Sequence, residues 1–135
     1  MNLLINIDVE DLSKAIAFYV QAFDLRIGRR LGDGVVEMLG APAPIYLLLK
    51  SPGSQASDRS GDTRSYDRHW TPVHLDIVVA DINSAIERAV EAGATLERPA
   101  QLNTWGKLAL MADPFGNGFC LVQFVGRGYD EIATQ

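Results

Sequence analysis

The sequence predicts an α+β chain made of two βαβββ modules, on three observations. Its 135 residues are 47% hydrophobic and 21% charged, a composition that suits one ordinary globular domain or two small modules. The opening run Leu4-Ile5-Asn6-Ile7-Asp8-Val9-Glu10-Asp11-Leu12 returns as His74-Leu75-Asp76-Ile77-Val78-Val79-Ala80-Asp81-Ile82. The two runs match in identity or type at Ile7/Ile77, Val9/Val79, Asp11/Asp81 and Leu12/Ile82. After each run the apolar spacing passes from helical to strand-like.

The first module opens with a β-branched strand, and Asp11 is a ready N-cap for the helix that follows. Within that helix Ile16, Tyr19, Val20 and Phe23 recur at helical spacing and are expected to form its apolar face. Strands are expected over 26–31, 35–39 and 45–49, separated by Gly32-Asp33-Gly34 and Ala41-Pro42-Ala43-Pro44. In the second module Asp81 caps a helix whose apolar face is Ile82, Ala85, Ile86 and Ala89, with Gly93 as its stop. Strands follow over 95–98, 107–112 and 119–125, the last two joined by Asp113-Pro114-Phe115-Gly116-Asn117-Gly118.

The modules are thus expected over 1–50 and 72–126, with a linker loop over 51–71 and a tail over 127–135. The linker is rich in Ser, Gly, Asp and Arg, yet ends in Tyr66-Asp67-Arg68-His69-Trp70. Its aromatics read either as a packing anchor or as a lid, so Trp70 is a candidate binding residue.

Lys and Arg total 12 against 17 Asp and Glu, a net charge of −5. That balance argues against a phosphate-tracking surface, so no nucleic-acid partner is expected, and a cationic or neutral small molecule suits it better. No basic, apolar leader opens the chain, and no apolar run approaches the ~18 residues of a membrane span. Cys120 is the only cysteine, which rules out an intrachain disulfide and points to a reducing compartment. The expectation is a soluble cytoplasmic protein without a membrane partner.

At 74–82 and at Ala112-Asp113-Pro114-Phe115-Gly116-Asn117-Gly118-Phe119-Cys120-Leu121 the sequence resembles the vicinal oxygen chelate superfamily. This is the group of glyoxalase I, extradiol dioxygenases and bleomycin-resistance proteins, and the likeness spans nearly the whole chain. It implies a cup-shaped mixed sheet of glyoxalase/bleomycin-resistance type, formed by the two modules. It also implies modules paired between chains, hence a homodimer, with the tail free to lie across the partner. Members with chemistry hold a divalent metal through His and Glu on the first and last strands of each module. Leu4, Tyr46, His74 and Cys120 align with those positions. Only His74 keeps the expected type, so the resemblance implies neither a resident metal nor another cofactor.

His74 reads either as an internal polar residue or as a group that hydrogen-bonds a ligand or takes its proton. Alternation puts Asp76 on the face of His74, and Asp8 on the face of Leu4. Desolvated carboxylates need partners, which a ligand amine or guanidinium could supply, as could an internal Arg or Lys. Cys120 reads either as a thiolate assisted by His74 or as a small buried hydrophobe. Trp105 could stack on a planar ligand or close the core, and Tyr46, Met111 and Phe124 could add wall to the site.

Taken together, these readings lead to a resistance- or sequestration-type protein. It would bind a small, partly aromatic or cationic molecule in the cup without metal. The alternative is a metal-dependent lyase, isomerase or dioxygenase of glyoxalase type, with Glu37 and His69 as reserve ligands.

Overall fold

The computed structural model describes residues 1–135, which form two compact units, Met1–Asp67 and Arg68–Gln135. The first unit runs β1 (Ile5–Val9), α1 (Leu12–Phe23), β2 (Arg26–Leu31), β3 (Val35–Leu39) and β4 (Ile45–Leu49). The second runs β5 (Leu75–Val78), α2 (Ile82–Ala92), β6 (Thr95–Asn103), β7 (Gly106–Ala112) and β8 (Gly118–Phe124), then a short 3₁₀ turn at Gly128–Glu131. Each unit is therefore a βαβββ module, as the repeat predicts. Neither helix is long and apolar enough to cross a membrane.

The two sheets share one topology. Their strand orders are β1-β4-β3-β2 and β5-β8-β7-β6, with β1 parallel to β4, β5 parallel to β8, and the other pairs antiparallel. A helical crossover lets the first strand of each module lie parallel beside the last. Asp11 accepts from Lys14 N at 2.9 Å and Asp81 from Ser84 N at 2.9 Å, so both expected N-caps close. Gly93 ends α2 in a left-handed conformation, whereas α1 ends at Asp24 with φ 55°.

Strand alternation gives every sheet a helix-covered face and an opposite face. In the first unit Val9, Val36, Met38, Ile45 and Leu47 form the buried side, together with Ala15, Phe18, Tyr19 and Ala22 of α1. The buried face of α1 is thus rotated from the expected one: Val20 is exposed, while Ala15, Phe18 and Ala22 are covered. Small alanines let the helix approach the sheet closely, and Phe18 packs edge-on against Tyr19 and Phe23. In the second unit Ala109, Met111, Phe119 and Leu121 lie on the α2 side, marked by Gln123 Oε1, which accepts from Ile82 N.

Strand β6 continues five residues past the expected end at Arg98, through Pro99 to Asn103. Pro99 is tolerated because β6 is an edge strand whose register against β7 is irregular between Arg98 and Gln101.

The 51–71 segment is divided between the units. Up to Asp67 it is fastened to the first: Arg64 Nε lies 2.6 Å from Asp8 Oδ2, Tyr66 OH donates to Lys50 O, and Gln55 bridges Thr63. From Arg68 it is fastened to the second. There Arg68 forks onto Glu97, and His69 N donates to Gly116 O while its Nε2 meets Asn117 Oδ1 at 2.9 Å.

Candidate functional site

The open face of the second unit carries the densest group of chemically capable side chains. His74 immediately precedes β5, two residues before Asp76, and the two side chains meet. Asp76 stands beside Cys120 in the parallel β5–β8 register. His74 Nε2 lies 3.1 Å from Asp76 Oδ1, and the donor atoms of His74, Asp76 and Cys120 all fall within 4.8 Å of one another. Burial first, and then the Asp76 carboxylate, push the Cys120 thiol up to about 11, so at neutral pH it is a hydrogen-bond donor to Asp76 rather than a nucleophile.

Around this polar group the same face is apolar. Val122 follows Cys120 on β8 with Phe124 beyond it, Val78 follows Asp76 on β5, and Leu110 and Leu108 face Cys120 and Val122 from β7. Phe124 ends in a ring cluster with Trp105 (6.3 Å between centroids) and Tyr129 (4.8 Å). Trp105 also meets Tyr129 at 5.0 Å. The tail therefore turns back onto its own module, and the Arg127–Glu131 ion pair closes the turn within it. Met111 is fully buried on the α2 side, facing away from Cys120, and belongs to the core. Trp70 is 82% exposed.

The first unit's open face has different chemistry. Asp8 is paired with Arg64, the internal partner that alternation left open. Glu37 is buried, yet every contact it makes is a donor: Tyr46 OH at 2.8 Å, Arg29 Nη2 at 2.7 Å, and Arg29 Nε and backbone N at 3.0 Å each. A β-bulge makes this possible, because Gly28 and Arg29 together stand opposite Glu37. A Cβ on Gly28 would come within 2.5 Å of Glu37 Oε2. The Arg29 hydrogen bonds lead in holding the Glu37 carboxyl down at about 2.

Sequence reasoning held Glu37 only in reserve and missed Arg29. The signal was present as a glycine followed by two arginines within a strand, but that pattern does not say which carboxylate the bulge will face. His69, the other reserve residue, bonds Asn117, which in turn donates to Asp113 Oδ2 at 2.9 Å.

A match to the family model for the glyoxalase-like domain runs over residues 4–122. The chain is a glyoxalase-like member of the vicinal oxygen chelate superfamily. An uncharacterised protein of Mycobacterium bovis is 34% identical to this glyoxalase-like protein over 131 residues, covering 92% of this chain and 84% of the relative. Among solved structures, a fosfomycin resistance protein from Listeria monocytogenes superposes with a TM-score of 0.72 at 18% identity, covering 98% of both chains. A glyoxalase-related enzyme from Fulvimarina pelagi superposes at 0.70 with 20% identity, covering 91% of this chain and 87% of its own. At these identities the superpositions speak for the fold alone.

The residues at the superfamily's four metal positions do not fit its divalent ion. Leu4 has no donor atom, and the Tyr46 phenol spends its proton on Glu37. Only His74 and Cys120 are left as ligands at those positions, fewer than the three that a catalytic ion needs.

Proposed function

We propose that this glyoxalase-like protein binds a small cationic, partly aromatic molecule on the open face of its second module, acting by sequestration rather than turnover. One observation carries the reading: a partly exposed carboxylate, Asp76, stands in a wall of Val78, Leu108, Leu110, Val122 and Phe124. An amine or guanidinium would pair with Asp76, the aromatic part would cover the apolar wall, and His74 would orient the carboxylate or bond the ligand itself. A thiol held protonated supports binding over covalent catalysis. The reading includes a cytoplasmic homodimer with no nucleic-acid or membrane partner and no cofactor. Sedimentation velocity would return a monomer if the dimer is wrong.

Tryptamine, benzamidine and their neutral analogues (3-ethylindole and benzamide) form the test, read by thermal shift and calorimetry in buffer containing a chelator. The charged compounds should raise the melting temperature more than their neutral partners. Asp76→Asn should abolish that difference, and His74→Ala should weaken it. Equal shifts from charged and neutral compounds would refute a cation site.

A further inference from the structure

The strands of the first module carry two carboxylates on its open face, Asp8 and Glu37, and each is neutralised in its own way. Glu37 takes its donors from its own sheet, Arg29 on β2 and Tyr46 on β4. Asp8 on β1 takes its ion pair from a loop, with Arg64 Nε 2.6 Å from its Oδ2. That loop is a hairpin in which Gly53 N donates to Arg64 O, Arg64 N to Ser54 O and Ala56 N to Asp62 O. We propose that Asp8 is a binding site for guanidinium or amidinium groups bearing a flat apolar body, and that Arg64 fills it as an internal competitor. The site belongs to the other module from Asp76 and does not rest on the function proposed above.

The guanidinium is held as a receptor holds a ligand. Arg64 Nη1 donates to Ser54 Oγ at 3.2 Å and to Gln55 O at 2.5 Å, while Nε donates to Asp8. Arg64 is more covered than Arg29, Arg68 or Arg127, with its side chain 18% exposed. The face beside Asp8 is apolar. Leu48 stands next to it in the parallel β1–β4 register, Val35 pairs with Leu48, and Leu31 pairs with Val35. A carboxylate at the end of such a row suits a cation whose apolar body lies across the strands. The occupant is also exchangeable. No residue from Leu48 to Thr71 is fully buried, so the hairpin has no apolar core to fix it, and segments of this kind open at low cost. Ser54 and Gln55 travel with Arg64, so releasing Asp8 gives up the ion pair without dismantling the hairpin. Tethering sets Arg64 at an effective concentration of about millimolar. A bare guanidinium therefore competes poorly, and the apolar row is what lets a ligand with an aromatic body displace it.

Phenylguanidinium is the probe and its neutral isostere phenylurea the control, each titrated into the full-length chain and followed by residue-resolved NMR. Amide shifts at Leu48 and Val35 report this site, whereas those at Val78 and Val122 report the one at Asp76. Expected are shifts at Leu48 and Val35 with phenylguanidinium alone, and exchange of the Arg64 Nε–H at least about tenfold faster once Asp8 changes partner. Arg64→Ala, in a hairpin without fully buried residues, should lower the apparent Kd read at Leu48 about tenfold or more. Asp8→Asn should abolish the Leu48 and Val35 shifts and leave the Val78 and Val122 signals of the free protein as in wild type. An unchanged Kd in Arg64→Ala overturns the internal competition. No shift at Leu48 even in Arg64→Ala, equal shifts with phenylurea, or undiminished shifts in Asp8→Asn overturn the site. Shifts confined to Val78 and Val122 overturn this inference alone. Shifts confined to Leu48 and Val35 overturn the function above and leave this site standing.

Discussion

Tyr46 donates its phenolic hydrogen to Glu37 Oε1 at 2.8 Å, and this bond turns an aligned metal position into part of an ion clamp. Arg29 completes the clamp from both sides, donating to Glu37 and to the Tyr46 oxygen at 3.0 Å. A carboxylate satisfied by four donors has little left to offer a cation. The acidic chemistry of the first module is therefore internal, whereas that of the second remains partly open to solvent.

The clamp predicts a signature at low pH. Glu37 is held down from its ordinary 4.5 to about 2. A carboxyl lowered on folding adds stability above its unfolded value and loses it as pH falls through the folded one. Wild type and Glu37→Gln should differ in urea midpoint at neutral pH and converge between pH 4.5 and about 2. The gap should be modest, because Arg29 is largely open to water. A gap that persists unchanged into acid would mean that the clamp does not contribute in this way.

Cys120 should be slow to alkylate. Its thiol is raised from 9.0 to about 11, which reduces the thiolate fraction at neutral pH about 100-fold before burial slows access further. Iodoacetamide labelling followed by mass spectrometry should therefore be at least about 100-fold slower than for a free thiol, and become fast in denaturant. Labelling at the free-thiol rate in the native protein would show that Cys120 is exposed or activated.

Asp113 organises the turn between β7 and β8. It is buried and accepts from Phe115 N at 2.8 Å, Asn117 N at 2.9 Å and Asn117 Nδ2 at 2.9 Å. Asp113→Ala strands these donors and should cost about 2–4 kcal/mol. Asn117→Ala removes one of those bonds and the His69 contact, and should cost less. Equal, small losses in chemical denaturation would show that water replaces the carboxylate.

Two glycines should respond oppositely to alanine. Gly106 sits at φ 157°, and a Cβ there would run into the Gln123 carbonyl oxygen of the paired strand. Gly106→Ala should cost more than about 2 kcal/mol, since neither backbone can yield without breaking the β7–β8 ladder. Gly34 has open space around its added Cβ and no positive φ, so Gly34→Ala should stay within about 1 kcal/mol of wild type. Similar losses at both positions would mean that the turn at Gly34 needs glycine for a reason its geometry does not show.

The βαβββ repeat, both N-caps, the stop at Gly93 and the three strands after α1 were legible in the sequence. Each depends on local periodicity or on a cap within a few residues. Where the reading was local but the outcome depended on packing, it drifted. The buried face of α1 turned toward its alanines, and β6 ran through Pro99 because an edge strand can spare the hydrogen bond. For the site, alternation was enough to place His74 beside Asp76, and the parallel register then brought Cys120 alongside. Tertiary structure alone decided the rest. The fates of Glu37, Tyr46 and Asp8 depended on arginines at positions 29 and 64, brought in by a bulge and by a returning loop. Tail and core packing decided those of Trp105 and Met111. Spacing along a chain records which face a side chain takes, whereas the partner it finds there is set by segments distant in sequence, and only the folded backbone brings these together.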